Sequence, residues 1–228
     1  LNARVKECAP FENVYTLALR GLHDRAMNAS NDMGDRKDML QEALMAQRQM
    51  LIDAIGKPGE EIPQAFTPYK EVLDVYDEGL ELPDDVTIIW PDDNYGYMKR
   101  LSSPKEQKRS GRSGVYYHSS YLGKPHDHLW MNTISPTLMY EELRKAYDAT
   151  ADRIWLLNAG DIKSCEFAVD YFLTMAFDID SFNFERAANY RTEWLCGMLG
   201  DQYRNEYQDV VNSFYKLAFA RKPEFMGW

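Results

Sequence analysis

At 228 residues the chain is long enough to bury a sizeable core, and 45% hydrophobic with 27% charged residues is ordinary for a globular protein. Its 36 acidic against 26 basic residues give a net charge of −10, which argues against a nucleic-acid partner, because phosphate binding needs concentrated Lys and Arg. No apolar run approaches the ~20 residues of a membrane span, and the odd set Cys8, Cys165 and Cys196 has neither disulfide-framework nor metal spacing, so buried or inert thiols are expected.

In chain order, Val14–Leu19 is the first expected strand. A helix follows over about Asp35–Ile55, with Leu40, Ala43, Leu44, Leu51, Ala54 and Ile55 close to one apolar stripe. A short strand near Gln64–Thr67 leads into a short helix after Glu71. Val86–Trp90 is a buried strand that Pro91 ends, and the fourth strand is Gly114–Tyr117. Between them the basic cluster Lys105–Arg112 reads as a solvated loop face. Ser135-Pro136 marks a helix start, a cap residue followed by Pro at the first helical position, and that helix runs to about Tyr147. Arg153–Leu157 is the fifth strand, Cys165–Ala176 is helical, and Ala187–Lys222 reads as helix throughout. Strands apolar on both faces and alternating with helices imply a parallel, helix-covered α/β sheet. The chain starts at Leu1 without Met or a signal-like segment and stops within RKPEFMGW, which reads as a piece of a longer protein.

In parallel α/β architectures catalytic groups collect at the C-terminal ends of strands. The five ends here carry Arg20 to Asp24; Pro68, Tyr69, Lys70 and Glu71; Pro91 to Tyr97; His118 to Tyr121 and on to Trp130; and Asn158 to Lys163. Carboxylates and amides beside many Tyr and Trp residues describe a carbohydrate site, in which polar groups meet hydroxyls and aromatic rings meet C–H faces. Arg20 adds the planar fork that suits a carboxylate on the ligand. Asp24 and Glu71 stand on separate strand ends as a pair of acids for glycoside cleavage, though spacing alone leaves capping or pairing with Arg20 open for Asp24. Asp92 and Asp93 are equally readable as turn formers, and Tyr116 and Tyr117 as strand packing. His126-Asp127-His128 has the residue types of a metal site but no third ligand at suitable spacing, so neither metal nor cofactor is expected.

RGLHD, TPYKEV, WPDDNYGYMKRL, GVYYHSSYLGKPHDHLW and LLNAGDIK, in this order, resemble glycoside hydrolase family 115, the xylan α-glucuronidases, from about Phe11 to Trp228. The resemblance implies the later strands of a (β/α)8 TIM-type barrel over residues 1–180 and the first helices of an α-helical bundle over 181–228. It implies inverting removal of α-1,2-linked glucuronic acid, or its 4-O-methyl form, from glucuronoxylan or aldouronic oligosaccharides. Glu71 is then the general base and Asp24 the general acid, while Arg20, Tyr69, Asp92, His118, Tyr121 and Asn158 bind the uronate sugar. Arg20 or His118 would meet the uronate and Asp92 or Asn158 the hydroxyls. Family likeness further implies a secreted or periplasmic protein; from the lack of a long apolar run no membrane partner is expected, and a homodimer of the full-length protein stays open. Two other classes stay open: a non-catalytic carbohydrate-binding protein on the same scaffold, and a metal-dependent hydrolase using His126, Asp127 and His128.

Overall fold

The computed structural model describes residues 2–21, 25–27, 32–124, 126–129 and 131–226. Among them five strands, β1 (Tyr15–Leu17), β2 (Gln64–Phe66), β3 (Thr87–Pro91), β4 (Ser113–His118) and β5 (Trp155–Asn158), form one sheet in chain order. The helices are α1 (Asn2–Cys8), α2 (Met33–Ile55), α3 (Glu71–Asp77), α4 (Pro136–Asp148), α5 (Ile162–Phe177), α6 (Phe184–Leu199) and α7 (Arg204–Ala220). The chain groups into two compact units, the first made of residues 1–90, 102–114 and 150–154, the second of 91–101, 115–149 and 155–228.

In the first unit β1 pairs with β2 and β2 with β3, both parallel, with Leu17 opposite Phe66 and Phe66 opposite Ile88. Every residue of β2 and β3 is buried. Trp90, fully buried, must satisfy its indole N–H, and it donates to Ser102 Oγ at 2.8 Å, which in turn donates to Ser113 Oγ at 3.0 Å. Tyr76 packs edge-on against Trp90 and sends its hydroxyl to Glu106 at 2.7 Å. Helix α2 starts at Asp32, whose carboxylate accepts from Asp35 N, ends at Gly56 in the left-handed region, and buries Leu40, Leu44 and Leu51. That is the expected stripe without its alanines and Ile55.

In the second unit Val115 to His118 run parallel to Trp155 to Asn158. Strand β5 departs from the doubly apolar expectation: Leu156 is exposed and its neighbours half-buried, whereas Val115 and Tyr117 of β4 are wholly buried. Helix α4 begins at Pro136 as expected, but Ser135 makes no capping bond to the helix; its hydroxyl pairs with Thr137 Oγ1 instead. Burial of Pro136, Met139, Tyr140, Leu143 and Ala146 along one stripe outweighs the missing cap, at about 2 kcal/mol for each large apolar side chain against about 1 for a cap. The single helix expected over Ala187–Lys222 is two. Gly200, at φ 97° and ψ 156°, takes a conformation closed to other residues; α6 stops at Leu199, and a 3₁₀ turn over Asp201–Tyr203 restarts the chain as α7.

Gly114 explains the close approach of backbone at the start of β4, since a Cβ there would overlap the Ile154 carbonyl oxygen. Gly114→Ala is expected to lower unfolding free energy by about 3 kcal/mol in urea titration; an unchanged midpoint would contradict that contact.

Candidate active site

Three residues past β1, Arg20 reaches the acid at the start of α3. Its Nε donates to Glu71 Oε1 and its Nη2 to Glu71 Oε2, each at 3.1 Å, a bidentate ion pair with the two side chains 19% and 20% exposed. Tyr69 lies beneath two cations, the Arg20 guanidinium 5.3 Å and the Lys70 ammonium 5.0 Å from its ring centre. Between Tyr69 and Glu71, Lys70 is held at φ 52°, ψ −121°, a region that a side-chain-bearing residue enters only at a cost of about 1–3 kcal/mol. That turn directs Glu71 out of the end of β2, and the arginine fork fixes it there. Of the sequence-predicted residues, the first unit thus brings together Arg20, Tyr69 and Glu71. Asp24, the other expected catalytic acid, lies outside the described residues.

The second unit gathers Asp92, His118, Tyr121 and Asn158. Asp92 is 2% exposed, and a carboxylate so buried must be fully hydrogen-bonded. Its Oδ1 accepts from Asn94 N at 3.0 Å and His118 Nδ1 at 2.6 Å; its Oδ2 accepts from Gly96 N and His118 N, both at 3.1 Å. An ionised carboxylate only accepts, so the imidazole hydrogen facing Asp92 sits on Nδ1. Asp92, expected at sugar hydroxyls, therefore spends its oxygens on orienting His118 and shaping the loop after β3. In that loop Asn94 sits at φ 72° and Asp93 Oδ1 accepts from the main chain of Tyr95 and Tyr97, so Asp93 is the turn former that its position allowed.

Tyr121 is buried with its ring 5.9 Å from both His118 and Tyr95, and main-chain bonds to His128 in both directions tie it down. The Asn158 carbonyl accepts from Ser119 N, Ser120 N and Ser119 Oγ, while its Nδ2 donates to Tyr116 Oη at 3.1 Å. Tyr116 joins this set against expectation, its ring 4.5 Å from His118. The two-residue alternation of β4 could have revealed it, since Tyr116 and His118 share a face while Tyr117 turns into the core. Tyr117 behaves as packing: it is fully buried, donates to the Gly96 carbonyl at 2.9 Å, and burial pushes its phenol well above the ordinary range.

The His126-Asp127-His128 run serves structure. Asp127 accepts from Gly123 N, the His126 main chain meets the Tyr95 hydroxyl, and His128 Nε2 bonds to the Asn94 carbonyl beneath the Tyr95 ring. Among the described residues no three His, Cys, Asp or Glu groups come together as a metal-holding set. Burial drives the His128 imidazole below its ordinary value of 6.5, with Lys222 acting in the same direction against the Asn94 bond and the Glu224 and Asp92 charges. The folded state resists a proton that the unfolded chain takes up near pH 6.5. Stability carried by His128 is then complete above that pH and declines below it. Unfolding of the intact protein at pH 7.5 and pH 5 should show this loss, and His128→Gln should lessen it; an equal decline in the variant would assign the effect elsewhere.

The family model described as Glycosyl hydrolase family 115 matches residues 1–225. Among solved structures the chain is similar to one described as a novel family GH115 4-O-methyl-alpha-glucuronidase, BtGH115A, with specificity for decorated arabinogalactans. The two share 43% identity and a TM-score of 0.93 over 99% of this chain and 30% of the other. The chain thus spans under a third of the length of that relative. No curated protein sequence matches.

Proposed function

Because the chain belongs to glycosyl hydrolase family 115, we propose that the intact protein is a glycoside hydrolase that removes α-1,2-linked (4-O-methyl)glucuronic acid from glucuronoxylan with inversion. The observation that carries this reading is Glu71, a part-exposed acid at a strand end, gripped by the Arg20 fork on a strained turn. Strand order supports the architecture. Five strands running in chain order fit the later part of a (β/α)8 barrel over residues 1–180, whereas doubly wound sheets reverse their order. Residues 181–228 are then the first helices of a bundle.

In this reading Glu71 is the general base that takes a proton from the attacking water. Asp24 is the general acid that protonates the leaving xylosyl oxygen. Inverting pairs stand about 6.5–9.5 Å apart to admit the water. Arg20 orients Glu71, and Tyr69 offers its ring to the sugar. His118, its tautomer set by Asp92, meets the uronate, with Tyr121 and Asn158 toward the hydroxyls. A second substrate reading has its own support: the 43%-identical relative is described as specific for decorated arabinogalactans. Uronic acid release from glucuronoxylan and from arabinogalactan, measured side by side, separates the two.

Glu71→Gln and Asp24→Asn are each expected to reduce release by about 10³-fold while circular dichroism stays unchanged. Wild-type turnover by Glu71→Gln removes it from the base role. Proton NMR of the first product should show the β-anomer, and an α-anomer would sink the inverting mechanism. Asp92→Asn should cost about 10²-fold in kcat with KM little changed, because the His118 Nδ1 hydrogen loses its anionic partner; an unaltered kcat would leave Asp92 a purely structural role.

A further inference from the structure

A cavity of about 510 Å3 opens in the second unit between the loop after β3 and the end of α7. Tyr97 and Phe219 supply exposed aromatic faces at 45% and 80% exposure, and Phe225 lies beside them. Arg221 and Lys222 stand on the same lining. Arg221 Nε donates to the Phe225 carbonyl at 2.9 Å, and Lys222 Nζ donates to Thr133 O and Thr133 Oγ1, both at 3.2 Å. Among the described residues neither cation meets a carboxylate at ion-pair distance, and Glu224 and Asp93 act on Lys222 only through the longer-range field. Two cations held by carbonyl and hydroxyl oxygens thus stand beside exposed rings on one cavity lining.

Rings of this kind take the C–H faces of a pyranose, and cations without carboxylate partners take an anion. We propose that this cavity is an accessory subsite for an acidic oligosaccharide, with a sugar ring on Tyr97 and Phe219 and its carboxylate on Arg221 and Lys222. The carbohydrate identity of the ligand rests on the glucuronidase reading above. Burial lowers the Lys222 ammonium below its ordinary value, and a bound carboxylate would act in the opposite direction.

The test is calorimetric titration of the intact protein carrying Glu71→Gln with an aldouronic oligosaccharide, with the same oligosaccharide reduced to its neutral alcohol, and with inorganic phosphate. Two binding events per protein are expected with the acidic sugar. The second should weaken at least 10-fold in Tyr97→Ala/Arg221→Met and for the neutral sugar. On the otherwise wild-type background the same double substitution should leave turnover of a small aryl glucuronide unchanged. Undiminished binding by the double variant, equal binding of the neutral sugar, or phosphate competing as strongly as the acidic sugar would each overturn the subsite. Absence of uronate release by the protein with Glu71 intact, with the second event retained, would reject the hydrolase reading and leave the subsite standing. Both altered side chains are exposed, and a thermal melt confirms that the variant folds.

Discussion

The buried Asp92 carboxylate is the constraint on which the second unit's polar cluster depends. A charge withdrawn from water persists only if its lone pairs are filled, and here four N–H donors fill them. Two come from His118, its main chain and its ring, and two from the turn at Asn94 and Gly96. One acid therefore couples the end of β3 to the end of β4. Tyr121, Tyr116 and Asn158 gather around the imidazole that it orients. Removal of a single acceptor would leave several donors unsatisfied at once, so this cluster behaves as a unit.

The first unit solves a related problem differently. Glu71 remains partly exposed, and a bidentate guanidinium fixes its direction without burying it. Lys70 adds backbone strain immediately before it. Strain of that size persists only where surrounding contacts over-determine the conformation, and the cation–ring contacts at Tyr69 with the Arg20–Glu71 pair supply such contacts.

Elsewhere apolar burial governs. Helix α4 forms without a capping bond from Ser135 because its buried stripe carries more energy than a cap. The break at Gly200 shows the opposite limit, where one residue's conformational freedom ends a helix that apolar periodicity alone would continue.

Much of the fold was legible in the sequence. Apolar runs placed the five strands and periodicity placed α2 to α5, because burial pattern and backbone period are local properties, whereas α1 and the division of α6 from α7 were not read. Strand-end positions also named residues that the structure brings together: Arg20 with Tyr69 and Glu71, and Asp92 with His118, Tyr121 and Asn158. Tyr116 was readable from alternation with His118 yet looked like core, since a tyrosine in a strand packs and hydrogen-bonds with the same atoms. The roles were not legible. Whether Asp92 faces a ligand or a histidine depends on which donors other strands bring to it, and Lys70's strain depends on contacts 50 residues away in the chain, at Arg20. The sequence by itself determined which groups stand at the strand ends, because position along a strand is a one-dimensional fact. Only the tertiary structure decided which of them orient others, because hydrogen-bond saturation and burial are set by neighbours that the chain brings together in space.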